Sequence, residues 1–260
     1  MNKILGKEYF SEKVVKLVVD APMIAKSRRA GHFVIVRSGE NGERIPLTIA
    51  DADEVNGTIT LVIQAVGVST QKICALEVGD YLTDVVGPLG QATHIEKVGT
   101  VVCCGGGVGV APLLPIIKAM KKAGNRVISV LAGRNKDLII LEEQVREYSD
   151  EVIIMTDDGS YGKKGLVTNG LESIINHEKV NLVVTIGPAI MMKFVALLTK
   201  KYNIKTMCSL NTVMVDGTGM CGACRITIDG VTKFVCIDGP EFDAHKVNFD
   251  EMLMRLRPIK

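Results

Sequence analysis

Short apolar runs alternate with helix-like segments over residues 98–202, and this alternation restricts the fold more than any other feature of the sequence. Buried strands are predicted at residues 100–104, 126–131, 152–156 and 182–186. Helices are predicted between and after them at residues 111–123, 138–148, 166–175 and 189–201. Strands that alternate with helices form a parallel sheet covered by helices, and such sheets bind ligands at the carboxyl ends of their strands.

The flanking segments have a different character. Residues 1–97 predict an antiparallel β barrel, because short apolar or alternating runs are separated by turn signals such as Asn56-Gly57. Residues 203–260 lack a sustained helical period, apart from a short helix near residues 249–256, and are rich in cysteine and glycine. The expected architecture is therefore a β barrel, an α/β nucleotide-binding domain at residues 98–202 and a C-terminal metal-binding segment.

Composition excludes several classes of partner. The net charge of +2 and an aromatic content of 4% leave little with which to bind nucleic acid. Residues 98–117 carry no charge and are long enough to span a membrane, but their glycines and prolines favour a strand, a loop and a helix start. We expect no membrane partner. The 7 cysteines, an odd number, and the lack of a leader-like segment favour a reduced, cytoplasmic protein.

A glycine-rich loop follows the first predicted α/β strand. Its residues Gly106, Gly107, Val108, Gly109 and Pro112 lead directly into a helix. Glycines let the backbone approach a pyrophosphate, and a helix N-terminus offers free N–H groups. The spacing differs from G-x-G-x-x-G, so a tight strand-to-helix turn remains the alternative.

Polar residues follow the next strands. Asp157, Asp158 and Gly159 come after the third strand, where carboxylates can accept hydrogen bonds from a ribose and would repel a 2′-phosphate. An ordinary Asp-Gly turn is the alternative. Arg134 follows the second strand and either holds a phosphate or is simply solvated.

The most specific motif is Asp216-x4-Cys221-x2-Cys224-x11-Cys236. It has the spacing of a plant-type [2Fe–2S] loop with Asp at the first ligand position. The glycines among these residues would let the backbone curl around the cluster and donate N–H groups to it. The alternatives are free thiols, or a zinc site completed by Cys208 or His245.

Taken in order, these motifs resemble the ferredoxin–NADP reductase superfamily across nearly the whole chain. Arg44-x-Pro46-Leu47-Thr48 resembles its flavin motif, and residues 105–112 resemble its nucleotide loop. The cysteine loop resembles that of electron-transfer subunits of the dihydroorotate dehydrogenase type, which carry Cys where this chain has Asp216. Residues 209–224 and 236–242 are instead similar to the small (alpha) subunits of NADH-dependent reduced ferredoxin:NADP+ oxidoreductases, which are also labelled sulfide dehydrogenase subunits.

This resemblance implies an oxidoreductase subunit of an electron-bifurcating enzyme that contains FAD, NAD(H) and an Asp/Cys3 [2Fe–2S] cluster. It also implies a large glutamate-synthase-like flavoprotein partner, with iron–sulfur clusters and an NADP(H) site, through which ferredoxin reacts. A flavin is needed because nicotinamide exchanges electrons in pairs and the cluster exchanges them singly. No side chain is expected to act as a general acid or base.

The cofactor-binding positions that follow from the motifs and the resemblance are Arg44, Pro46, Leu47, Thr48, Gln64, Val66, Gly67, Ser69, Thr70, Gly106, Gly107, Val108, Gly109, Pro112, Arg134, Asp157, Asp158 and Gly159. The predicted metal ligands are Asp216, Cys221, Cys224 and Cys236. Three other functions stay open: the electron-transfer subunit of dihydroorotate dehydrogenase, a sulfide dehydrogenase subunit, and a zinc-stabilised nucleotide-binding regulator. The presence or absence of iron, sulfide and flavin separates the regulator from the redox subunits.

Overall fold

The structure, a computed structural model, describes residues 1–256. The chain divides into two compact units. The first contains residues 1–93, 211–225 and 234–240, and the second contains residues 94–210, 226–233 and 241–256. The boundary at residues 93 and 94 lies near the predicted end of the barrel at residue 97. Residues 257–260 of the predicted C-terminal segment lie outside the described residues.

The first unit is built on a seven-stranded antiparallel sheet that forms a nearly closed barrel. Its strands are β1 (Asn2–Ser11), β2 (Val14–Asp20), β3 (Phe33–Arg37), β4 (Ile45–Asp53), β5 (Thr58–Gln64), β6 (Tyr81–Leu82) and β7 (Asp84–Leu89). They are arranged in the order β6-β1-β2-β5-β4-β3-β7. Two short helices, α1 (Pro22–Ser27) and α2 (Val68–Cys74), accompany them.

Alternating side chains on β2 and β5 form the centre of the barrel core. Leu17 pairs with Leu61, and the neighbouring apolar pairs on the same two strands are also buried. This period-two burial explains why the two strands are visible in the sequence. The sequence does not predict β1, because this strand contains several charged residues and only Ile4 is buried. Its strand character depends on pairing with β2, which the local sequence does not show.

The second unit contains a seven-stranded sheet in the order β11-β10-β9-β8-β12-β13-β16. The strands are β8 (Thr100–Gly106), β9 (Arg126–Gly133), β10 (Glu151–Thr156), β11 (Lys163–Lys164), β12 (Leu182–Ile186), β13 (Thr206–Ser209) and β16 (Glu241–Asp243). All neighbours are parallel except β13 and β16. The unit's helices are α3 (Val110–Lys122), α4 (Glu142–Glu147), α5 (Val167–Ile175), α6 (Ala189–Lys201) and α8 (Phe249–Arg255). The predicted alternation of strands and helices is confirmed.

Two details differ from the prediction. The helix predicted at residues 138–148 begins only at Glu142, because Leu141 adopts a left-handed φ of 57° that α-helix cannot continue through. The parallel sheet also extends beyond residue 202, since β13 pairs with β12. The remaining elements of the C-terminal part are a two-stranded hairpin, β14 (Arg225–Ile228) and β15 (Val231–Phe234), and the single turn α7 (Val235–Asp238). Among the described residues, no helix is long and apolar enough to cross a membrane.

Buried Asn125 fixes the entry of the chain into β8. Its Oδ1 accepts hydrogen bonds from the amides of Val98, at 2.7 Å, and Gly99, at 3.1 Å. Its Nδ2 donates to the carbonyls of Glu96 and Met120. One side chain that is 4% exposed therefore satisfies four backbone groups where the first strand of the parallel sheet begins.

We expect Asn125→Ala to lower the free energy of unfolding by about 2–4 kcal/mol, because buried backbone groups lose their partners. Denaturant unfolding of the purified protein measures this loss. The exposed Asn176→Ala is the matched control, with an expected change of about 0.5 kcal/mol or less. Equal stability of the two variants would contradict the role given to Asn125.

Candidate functional site

The predicted metal ligands Asp216 and Cys221 form one pair. The Cys221 thiol lies 3.4 Å from Asp216 Oδ1. The carboxylate also accepts hydrogen bonds from the amides of Thr218, Met220 and Cys221. These bonds, the one from Thr218 foremost, lower the pKa of Asp216. The carboxylate is thus held ionised beside an exposed thiol, the state that a metal ligand requires.

Cys224 and Cys236 form a second pair. Their sulfurs lie 3.2 Å apart and both side chains are buried. Burial raises the pKa of Cys236 to about 12, the neighbouring Cys224 thiol adds to the rise, and a hydrogen bond from the Gly219 amide opposes it. Metal binding would be needed to make the Cys236 thiol a thiolate at neutral pH, because a bound cation favours the anionic form.

The arrangement as two pairs distinguishes among the predicted metal centres. No three His, Cys, Asp or Glu side chains within residues 1–256 converge on a single-ion position. A [2Fe–2S] cluster needs two protein ligands on each of two irons, which suits two separate pairs better than a tetrahedral zinc ion does. The two further zinc ligands that the sequence offers have other partners: Cys208 donates to the Phe242 carbonyl and His245 hydrogen-bonds Thr199.

Glycines shape the backbone around Asp216. Gly217 and Gly219 have φ of 76° and 84°, where side chains are disfavoured. A Cβ on Gly217 would also lie 2.7 Å from Leu89, and one on Gly219 would lie 2.7 Å from Ile237. The ligand loop therefore packs its backbone tightly against the barrel and against the segment that carries Cys236. The predicted ability of these glycines to curl the backbone agrees with this geometry.

The predicted flavin motif lies at the start of β4. Pro46, Leu47 and Thr48 pair with β3. Each is half-buried, so part of its surface is accessible. Arg44 precedes the strand. Its Nε donates to the carbonyl of Val215 at 2.9 Å, and its guanidinium lies 3.7 Å from Asp84. A residue predicted to bind the flavin thus also contacts the loop that carries Asp216.

The second predicted flavin segment comes after β5, beside the start of β4, because these two strands are antiparallel neighbours. Gln64 ends β5, and Val66 remains 72% exposed. Thr70 Oγ1 accepts hydrogen bonds from the amides of Val66 and Gly67, which fixes the turn into α2. The Ser69 hydroxyl donates to the Glu43 carboxylate, next to Arg44. The structure therefore brings both predicted flavin segments together at one edge of the barrel.

The glycines of the loop after β8 have two kinds of surroundings. Gly106 ends β8, and a 3-10 turn spans Gly107–Gly109 before α3 begins. A Cβ on Gly109 would lie 2.5 Å from the Ile186 carbonyl oxygen, and one on Gly106 would clash with Met191. These two glycines pack against the end of β12 and α6, which agrees with the tight-turn alternative. Their predicted contact with a cofactor stays a prediction.

Gly107 differs from its neighbours. Its φ is 54°, and a Cβ built on it would meet no atom within 4 Å. It therefore leaves open space at the carboxyl end of β8, as a pyrophosphate site requires. Val108 is half-buried beside it, and Pro112 lies in the first turn of α3, where its missing N–H costs no hydrogen bond.

Arg134, Asp157 and Asp158 lie at the carboxyl ends of the neighbouring strands β9 and β10. The Asp158 amide donates to the Arg134 carbonyl, and Asp158 Oδ1 accepts from the Ser160 amide. Hydrogen bonds from Ser160 lower the pKa of Asp158. The left-handed φ of 78° at Gly159 closes this turn. The turn alternative and the proposed contact with a ribose are compatible here, since both carboxylates stay exposed.

Two residues at these sites are not among the predicted ones. Gly187 follows β12, next to β8 in the sheet, and Met191 packs on both Gly106 and Gly187. β8 is flanked by β9 on one side and by the later strand β12 on the other, so the chain reverses its order here. Ligands bind at such a switch point in open α/β sheets. The only local signal is the Gly187-Pro188 dipeptide at a strand end.

Two segments of the chain match known protein families. Residues 103–197 match the family model "Oxidoreductase NAD-binding domain". Residues 211–248 match "Iron-sulfur cluster binding domain of dihydroorotate dehydrogenase B". A Thermotoga maritima homologue of the dihydroorotate dehydrogenase B (NAD(+)) electron transfer subunit is 45% identical over 98% of this chain and 90% of its own. The corresponding subunit of Streptococcus pneumoniae R6 is 33% identical over 92% of this chain and 94% of its own. The chain belongs to the family of dihydroorotate dehydrogenase B electron-transfer subunits and their homologues.

Among solved structures, a chain of the NADH-dependent reduced ferredoxin-NADP oxidoreductase, studied for flavin-based electron bifurcation, matches with a TM-score of 0.94 and 44% identity. The match covers 98% of this chain and 92% of the solved one. The cytochrome b5 reductase domain of Ulva prolifera nitrate reductase shares only the fold, with 18% identity and a TM-score of 0.61 over 78% of this chain and 93% of its own. The family and fold class expected from the sequence are confirmed, as are an NAD-binding domain and an iron–sulfur domain.

We expect Gly107→Ala to weaken NADH binding about tenfold, because its methyl group would enter the open space at the end of β8. Gly124→Ala is the matched control, since Gly124 also has a left-handed φ, of 84°, but lies at the far end of α3. Both variants should lose about 1 kcal/mol of stability from backbone strain. Titration of flavin reduction against NADH concentration compares them. Equal NADH affinity in the two variants would contradict a pyrophosphate site at Gly107.

Proposed function

We propose that this chain is the flavin- and [2Fe–2S]-containing subunit of an electron-bifurcating NADH-dependent ferredoxin:NADP+ oxidoreductase, in which it passes electrons between NAD(H) and a partner subunit. The observation that carries the proposal is the donor set of one carboxylate and three thiols, arranged as two pairs. The solved oxidoreductase that matches 98% of this chain supports it.

Each part of the chain has a task in this proposal. The open backbone at Gly107 would receive the pyrophosphate of NAD(H), and Asp157 and Asp158 would contact a ribose. The edge formed by Arg44 and the start of α2 would hold FAD. When bound, flavin would convert between the paired electrons of a hydride and the single electrons of an iron–sulfur cluster. The protein's own contribution is to bind, orient and shield these groups.

The proposed partner is a large glutamate-synthase-like flavoprotein that carries iron–sulfur clusters and an NADP(H) site, and it would react with ferredoxin. Support comes from the matched solved protein, which is a ferredoxin-NADP oxidoreductase. We also propose a cytoplasmic location, because the exposed Cys221 would need a reducing compartment to stay available as a ligand.

The second candidate is the electron-transfer subunit of dihydroorotate dehydrogenase B, which the names of several relatives favour. Asp216 argues against this candidate, because the resemblance implies a Cys at this position in the dihydroorotate dehydrogenase subunits. Purification from the native cell separates the two candidates. A co-purifying glutamate-synthase-like flavoprotein supports the first, and a dihydroorotate-oxidising subunit supports the second.

We expect anaerobically purified protein to contain about two irons, two acid-labile sulfides and one flavin per chain. Metal analysis, sulfide determination and absorbance spectroscopy measure these contents. A colourless protein with one zinc per chain would contradict the redox function and support the nucleotide-binding regulator instead.

Asp216→Cys should retain about two irons, because a thiolate is the usual ligand at this position of the spacing, and it should shift the midpoint potential. Iron content and EPR of the reduced protein measure both properties.

Cys224→Ala should lose more than about half of the iron, since it removes a buried thiol from the second pair and offers no donor atom in its place. Iron analysis measures the loss. Full iron content in Cys224→Ala would exclude Cys224 as a ligand.

A further inference from the structure

The proposed cluster ligands come from two chain segments that each need a fixed position. Three of the ligands lie in residues 211–225, and Cys236 lies in residues 234–240. The intervening hairpin separates the segments in sequence, but both belong to the barrel unit. The Val235 amide donates directly from one segment to the Cys224 carbonyl of the other, at 3.2 Å. This bond lies where both segments join the hairpin. The spacing of the ligands farther from the hairpin therefore also depends on how each segment is attached to the barrel.

The first segment is attached through Arg44. Its Nε donates to the Val215 carbonyl at 2.9 Å, one residue before Asp216. Gly217, one residue after Asp216, packs its backbone against Leu89 of β7 and Ile35 of β3. The position of the carboxylate is thus fixed by a directional bond on one side and by close packing on the other.

The second segment is attached through Gln91. Its side-chain Nε2 donates to the Ile237 carbonyl at 2.9 Å, and its amide donates to the Gly239 carbonyl at 2.6 Å. Ile237 directly follows Cys236. Gln91 therefore bonds the chain on both sides of residue 238, immediately beyond the fourth proposed ligand. It follows β7 closely, so its position is set by the barrel.

We propose that Arg44 and Gln91 are positioning residues that act as two separate clamps, each holding one ligand segment against the barrel so that the four ligands keep the spacing a two-iron cluster needs. This inference rests on the proposed function, because it assigns the clamps a role toward the cluster. It gives Arg44 a second role beside its predicted place in the flavin motif, and it gives Gln91 a role that no sequence motif indicates.

The test uses Arg44→Gln, Gln91→Leu and the double variant in the full-length protein. Arg37→Gln is the matched control for Arg44→Gln, because Arg37 also faces Asp84 but bonds the carbonyl of Glu40 instead of the ligand loop. Gln144→Leu on α4 is the control for Gln91→Leu. The measurements are the rate of iron release to a chelator, the EPR spectrum of the reduced protein, flavin content and hydrogen exchange of the two segments.

We expect each single variant to release iron about fivefold faster, since a lost hydrogen bond of about 1 kcal/mol raises the population of the open segment by that factor. The double variant should release it about 25-fold faster, because separate clamps contribute independently. The EPR line shape should change in both single variants. Flavin content should stay unchanged in Gln91→Leu. The two controls should match the unmodified protein.

Hydrogen exchange separates this inference from the proposed function, because it needs no cluster. Arg44→Gln should speed exchange selectively in residues 213–222, and Gln91→Leu should do so in residues 235–240. Unchanged exchange in both segments overturns the clamps, whatever the iron content. A double variant that releases iron no faster than the faster single variant also overturns them. If the protein contains no iron or sulfide but shows these exchange changes, the redox function is refuted. Only the attachment of the two segments to the barrel through Arg44 and Gln91 is then retained.

Discussion

The attachment of two distant chain segments to one barrel is the constraint on which the proposed redox site depends. Residues 211–225 and 234–240 belong to the barrel unit with residues 1–93, whereas residues 94–210, 226–233 and 241–256 belong to the other unit. The chain must therefore leave the parallel sheet after β13 and return to it at β16. Glycines with left-handed φ make the tight path around Asp216 feasible. Hydrogen bonds to the carbonyls of Val215 and Ile237 attach the two segments to the barrel.

Close packing has a comparable role in the second unit. A Cβ on Gly109 would lie 2.5 Å from the Ile186 carbonyl oxygen at the end of β12, and one on Gly106 would meet the Met191 side chain of α6. Gly107, between them, faces open space. One glycine-rich run therefore combines two features that the sequence could not separate: close packing at Gly106 and Gly109, and an open backbone at Gly107.

Much of the fold follows from local patterns. The alternating apolar residues of β2 and β5 and the buried runs of β8, β9 and β12 are visible because burial there has the period of the secondary structure. β1 carries charges on its exposed positions and becomes a strand through its partner β2. The start of α4 is decided by the left-handed Leu141, a conformation that the helical periodicity of residues 138–148 does not reveal.

The sequence by itself determined the order of barrel, parallel sheet and cysteine loop, the family resemblance and the identity of the four proposed metal ligands, because spacing and residue type carry that information. Only the tertiary structure decided that the ligands lie as two pairs, that Cys208 and His245 have other partners, and that Arg44 and Gln91 bond the ligand segments. These contacts join residues up to 171 positions apart, and no local pattern encodes which distant carbonyl a side chain will meet.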